Sequence, residues 1–261
     1  MNHHVRVLLL SATLGYRALF AWNTPALFVS SLVVTPALQI VFFVLMGQAL
    51  GYGDPSFFIL GNAVQVAAAA GVSGLVSVIA DERRFGTLTL LLASPGSRTT
   101  VLLGRMLPGV AIGAVISLVS TAVGVVTAPW DVTPGALGVI VLAVLASAVS
   151  SAALGLVLSA LGLVYRDVFQ LAGAAYLLTL LVSGANVDRQ DLPGCLQVLG
   201  GFLPQTNAIA AIRAVAAGSV AASLPWVVME LCVGVAWATV ALVGMRVLEQ
   251  TARRRSTVAL W

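Results

Sequence analysis

Hydrophobic residues in this chain fall in long unbroken runs, with no strict alternation, and most runs exceed the ~18 residues that mark a membrane helix. They predict an all-α integral membrane protein, a single transmembrane domain over residues 1–261 with six transmembrane helices. The spans fall at about 25–47, 57–80, 106–128, 136–162, 168–186 and 225–248. Pro25 opens the first span as a helix-starting residue, and Pro36 predicts a kink within it. The turn "PWDVTP" divides the third span from the fourth. Ahead of the spans, residues 1–24 read as an amphipathic helix lying on the membrane interface, with Arg6 and Arg17 on its wet side and Trp22 at the boundary. Arg17 interrupts the apolar run there and no small-residue cleavage site follows, so a cleavable signal is not expected.

Residues 187–224 are apolar enough to imitate a seventh span. Pro193, Gly200, Gly201, Pro204, Gln205 and Asn207 interrupt them, and Arg213 sits late in the segment. Two short helices dipping into the membrane edge, a re-entrant region before the last span, fit this pattern better than one straight crossing.

Charge then sets orientation. Only 8% of the 261 residues are charged, and all thirteen basic residues are arginine. With six spans, eleven of the thirteen arginines fall on one side, leaving Arg189 and Arg213 on the other. That bias places both termini and the 81–105 loop in the cytoplasm and the 187–224 region outside. A seventh span would send Arg253, Arg254 and Arg255 outward. The same arginines flank membrane spans and form no soluble basic face, so the net charge of +4 does not indicate nucleic acid.

Composition also excludes chemistries. Without a lysine the chain cannot carry a Walker-type phosphate loop. Its two histidines, His3 and His4, lie far from any span, and Cys195 and Cys232 lack metal-type spacing. "GVSG" at 71–74 lacks the full serine-nucleophile pattern and a histidine base. No catalytic residue and no metal site are expected.

Three features remain. Ala143, Ser147, Ser151, Gly155 and Ser159 place a small residue at every fourth position of the fourth span, a smooth ridge on which a neighbouring helix can pack closely. Glu230 is the one acid inside an expected span, and ionisable groups there are costly. It reads either as functional or as an interface carboxylate, solvated or paired with Arg213; with Pro204 these two form a candidate gate at the external end. Finally, "DERRFGTLTLLLASPGSR" at 81–98 gathers four consecutive charges before a short leucine-rich segment. Thr87 suits an N-cap, Leu88, Leu91 and Leu92 share one helix face, and Ser94-Pro95-Gly96 stops the helix. A two-turn amphipathic helix between charged anchors is shaped to fit a groove in a partner.

This segment resembles the stretch between the second and third spans of bacterial type-2 ABC exporter permeases. Glu82, Arg83, Arg84, Gly86, Thr87, Leu88, Leu91, Leu92, Ser94, Pro95, Gly104 and Arg105 match its pattern, while Thr89 stands where glutamate is usual. "FLPQTNAIAAIRAVAAG" at 202–218 is similar to the family's segment before the last span, through Pro204, Ile212, Arg213 and Gly218. The resemblance implies a dimer of permease subunits, the same or homologous, in the bacterial cytoplasmic membrane. Each subunit would be seated on a separate cytoplasmic ABC ATP-binding subunit that uses ATP and Mg; this chain itself would bind no cofactor. The loop helix would be the coupling helix, and the cargo a drug, lipid or glycolipid. An ion-coupled secondary transporter and a non-transporting scaffold are the alternatives.

Overall fold

The computed structural model describes residues 3–20, 25–51, 56–84, 86, 98–127, 133–162, 165 and 167–254. Every regular element among them is a helix. In chain order these are α1 (His3–Phe20), α2 (Pro25–Ala49), α3 (Ser56–Arg84), α4 (Arg98–Thr127), α5 (Pro134–Leu161), α6 (Val168–Val182), α7 (Gly194–Phe202), α8 (Thr206–Ala216) and α9 (Val220–Arg254), with one 3-10 turn at Arg189–Asp191. The helical state follows from the solvent that such a chain must enter. In lipid each backbone N–H and C=O needs an internal partner, and a helix supplies nearly all of them.

A helix occupies at least part of each of the six stretches where spans are expected. Over the described residues, however, only parts of three are long and apolar enough to cross a membrane: Ser56–Val76, Pro134–Leu161 and Val220–Met245. A fourth crossing unit is available if α7 and α8, bent by 97° at their junction, count as one. The expected fifth span, 168–186, is helical only to Val182. At 1.5 Å per residue its 15 residues reach about 22 Å, short of a hydrocarbon core of about 30 Å. Other boundaries shift too. Asp81–Arg84 end α3 and Arg98–Arg105 begin α4, so the segment expected as an 81–105 loop is helical at both ends. The last helix starts at Val220, with Pro225 inside its first turns.

α5 sits at the centre. Thr133 caps it by accepting from Ala136 N at 3.2 Å, with Pro134 at the first helical position. Its small residues admit α3 on one side and α9 on another. A Cβ on Gly155 would lie 2.6 Å from Gly71 O, and one on Gly71 would lie 3.0 Å from Ala152 N. The two backbones touch, and only glycine allows it. Ala143, Ser147, Ser151, Gly155 and Ser159 are all buried, and Ser159 Oγ donates to Leu75 O at 2.7 Å. Around this axis α4 packs along α3, α1 along α4, and α2 along α3. Gly104 brings α4 against α1, where a Cβ would stand 2.6 Å from Leu8 O. Arg6 is exposed on α1, as are Leu9, Leu10 and Leu14; the Arg17 side chain and Trp22 lie outside the described residues.

Candidate functional site: a polar core beneath a bent helix pair

Residues 203–205 break the α7–α8 pair, and buried polar side chains gather around them, among them Gln65, Ser150, Ser151, Gln205 and Glu230. The break is local chemistry. Pro204 is buried and offers no N–H, which removes one donor that would otherwise need a partner. Gln205 has φ 78°, the left-handed region, and is the one non-glycine with positive φ among the described residues. That conformation is uncommon for a side chain of this size and marks a position held by its neighbours.

The neighbour that holds it is Glu230, fully buried on α9. One carboxylate oxygen accepts from Gln205 N at 2.7 Å and the other from Ala208 N at 3.3 Å, while Ser150 Oγ of α5 also donates to the carboxylate. Glu230 thus caps α8 from another helix. The unpaired N–H groups of the first turn, and the positive end of the helix dipole, supply what a cationic side chain would otherwise provide. Of the alternatives open for Glu230, pairing with Arg213 is not the one found: the two side chains have separate partners. Arg213 lies near the far end of α8, and its guanidinium stacks 3.7 Å from the centroid of Phe57. It donates to Phe57 O at 3.5 Å and Ala185 O at 3.4 Å. Ala208 to Arg213 is five residues, about 7.5 Å of helix rise, so the arginine is carried away from the cap. Of the three candidate gate residues, Pro204 and Glu230 meet at the bend and Arg213 stands apart.

A second set of amides ties the bend to the bundle. Gln205 Nε2 donates to Ser151 Oγ at 3.2 Å and reaches Gln65 O at 3.5 Å. The Gln65 side chain donates to Thr179 Oγ1 at 3.3 Å and accepts from Ser183 Oγ at 3.1 Å, linking α3 to the end of α6. One turn away on α3, Asn62 donates to Asn186 Oδ1 at 2.7 Å and accepts from Gln39 Nε2 of α2 at 3.0 Å. Gln39 in turn accepts from Tyr176 Oη at 3.0 Å. Asn62 and Gln65 are fully buried. In a medium without water an unbonded polar group is costly, and the side chains of Asn62, Gln65 and Gln205 each bond across to another helix. Beside the bend, Ser147 Oγ, Thr206 Oγ1 and both amide atoms of Asn207 are buried with no partner among the described residues.

Sequence reasoning singled out Glu230 and Ser151 but passed over Asn62, Gln65, Ser150 and Gln205 as site residues. A signal was present for two of them. Asn62 and Gln65 stand three apart in an otherwise apolar span, which puts them on one helix face.

The model of the ABC-2 type transporter family matches residues 10–217. The chain belongs to the ABC-2 type transporter family. The match runs from α1 through α8 and stops just before α9. No curated protein matches the chain in sequence. Membership makes this a membrane permease subunit of an ABC transporter system. Within this ABC-2 chain, the residues matched to the coupling segment are placed unevenly. Glu82, Arg83 and Arg84 form the last turn of α3, with their side chains outside the described residues. Gly86 is an exposed turn residue at φ 68°, a conformation that favours glycine. Thr87, Leu88, Leu91, Leu92, Ser94 and Pro95 lie outside the described residues.

Proposed function

We propose that this ABC-2 permease exports a hydrophobic or amphipathic substrate, a drug, lipid or glycolipid, from the cytoplasm or inner leaflet, driven by ATP hydrolysed on a separate subunit. The observation that carries the coupling to a separate ATP-hydrolysing subunit is the length of α3 and α4. Their 29 and 30 residues correspond to about 43 and 45 Å, against a hydrocarbon core of about 30 Å. The excess falls at adjacent ends, in Asp81–Arg84 and Arg98–Arg105, where the charges are. The two helices pack along each other, and in this reading their charged ends form a paired stalk that projects beyond the hydrocarbon core. Arginine bias supports a cytoplasmic stalk. In this reading α2, α3, α4, α5 and α9 cross the membrane, α6 completes a sixth crossing together with the non-helical residues 183–187 that follow it, both termini are cytoplasmic, and α7–α8 is a re-entrant pair entered from outside.

The ATP-binding subunit grips the stalk. Leu88, Leu91 and Leu92 fill its groove, and Arg83 and Arg84 fix the orientation. A second permease subunit, the same or homologous, completes the pathway among membrane lipids. ATP and Mg belong to the partner subunit. The ion-coupled alternative depends on Glu230, whose carboxylate is engaged by two backbone N–H groups and a serine, and this favours the ATP-driven reading. Leu91→Asp tests the assignment in the chain co-expressed with its ATP-binding subunit. Membrane insertion is expected to be unchanged, while co-purification and coupled ATP hydrolysis are lost. Full coupled hydrolysis in that variant would overturn the reading.

A further inference from the structure

The buried stripe of α9 runs through Ser223, Val227, Glu230, Gly234, Ala241 and Met245, at steps of three, four and seven that keep to one helix face. Trp237 lies on the same face, partly buried, one heptad beyond Glu230. The two polar side chains of that pair both go to the backbone of the bend. Glu230 accepts from Gln205 N and Ala208 N on the α8 side. Trp237 Nε1 donates to Phe202 O, the last carbonyl of α7, at 2.7 Å. The groups that a break in a helix leaves open, carbonyls before it and N–H groups after it, are therefore closed by one helix from two points. Between the two points Gly234 lets α9 approach α5, where a Cβ would come within 3.3 Å of Ser150. Depth makes this consequential. Glu230 is ten residues, about 15 Å, from the start of α9, so the bend lies beside the middle of its apolar stretch, where water cannot replace a lost partner.

We propose that Glu230 and Trp237 form a two-point clamp that makes the bent pair move with α9 as one body, and that Glu230 is a positioning residue for transport. Among the described residues, α2 is tied to the polar core through the side chain of Gln39, bonded to Asn62 and Tyr176. The positioning role rests on the export reading above; the clamp itself does not.

The chain provides its own probes. Its two cysteines are exposed, Cys195 on α7 and Cys232 on α9. Spin labels on both, in the full chain in lipid nanodiscs, report the distance between the bent pair and α9. A clamp predicts one narrow distribution in the native chain, unchanged when the ATP-binding subunit is added with ATP. It predicts a broad distribution in Glu230→Gln and in Trp237→Phe, the latter keeping the ring and removing only the N–H. A distribution already broad in the native chain, or one that stays narrow in both variants, overturns the clamp. The second measurement is ATP hydrolysed per substrate exported. Clamp loss is expected to raise that ratio on the order of tenfold in Glu230→Gln, because hydrolysis continues while the bent pair no longer follows α9. An unchanged ratio with a broadened distance overturns the positioning role. Absence of ATP-dependent export in the native chain would instead overturn the export reading, with the distance result still standing on its own.

Discussion

α5 and α9 are both long, apolar and free of strong amphipathic patterning, yet they occupy opposite environments. In α5 67% of the crossing window is buried within the protein; in α9 the share is 28%. The difference lies in which residues are small. α5 offers Ala143, Ser147, Ser151 and Gly155 on one face and Ala146, Ser150 and Ala153 beside it, so helices close in from several sides. α9 presents Leu224, Met229, Val235, Val240 and Val243 outward and keeps one narrow stripe for contact. Lipid tails are as apolar as leucine, so hydrophobicity does not draw two helices together in a membrane. Close backbone approach and hydrogen bonds do. α5 is central because it can be approached, and α9 is peripheral because it can be approached from one side only.

The largest test of that contrast is Gly155→Leu. A Cβ there meets Gly71 O at 2.6 Å, backbone against backbone, with no flexible side chain to yield. Overpacking commonly costs about 1–3 kcal/mol and more when the backbone must shift. Size-exclusion chromatography in detergent is expected to show loss of the monodisperse species. A normal profile would mean that α3 and α5 are not in contact through this ridge. An intermediate effect is expected for Ser159→Ala, which removes the bond to Leu75 O. Hydrogen bonds between membrane helices are worth about 0.6–2 kcal/mol, so a modest fall in thermal midpoint should follow, smaller than for the glycine variant. The smallest effect belongs to Val235→Ala on the outward face of α9, where the side chain is 67% exposed. Exchange of one apolar surface for another against lipid should stay within about 0.5 kcal/mol. A large loss of stability at Val235 would reveal a packed surface there, and would erase the distinction between the two helices.

How far the residues alone speak varies with the kind of interaction. The run lengths of apolar residues, the proline-glycine breaks in 187–224 and the four-residue ridge of the fourth span are local patterns, and they yield the helical class, the interruption of α7–α8 and the small-residue face of α5. Family membership was legible through 81–105, which lies within the matched residues 10–217, and through 202–218, which ends one residue past them. Helix ends were less legible. Nothing in "DERR" says whether the helix stops before or after the charges, since charged residues outside the membrane are good helix formers. Glu230 was conspicuous as a lone intramembrane acid, but its partners were not. Gln205 N and Ala208 N are backbone groups, and backbone groups leave no trace in a residue pattern.

By itself, then, the sequence determined the solvent this protein belongs to, its helical state, its family and the place where the chain must bend. Those follow from transfer energies and backbone satisfaction, which are summed along the chain and need no neighbour. Only the tertiary structure decided which apolar helix is central, that the lone acid caps another helix and leaves the arginine unpaired with it, and that Trp237 closes the other side of the same bend. Those depend on approach distances of a few ångströms between residues 22 to 140 positions apart, and in a chain where nearly every helix is apolar no local pattern distinguishes one partner from the next.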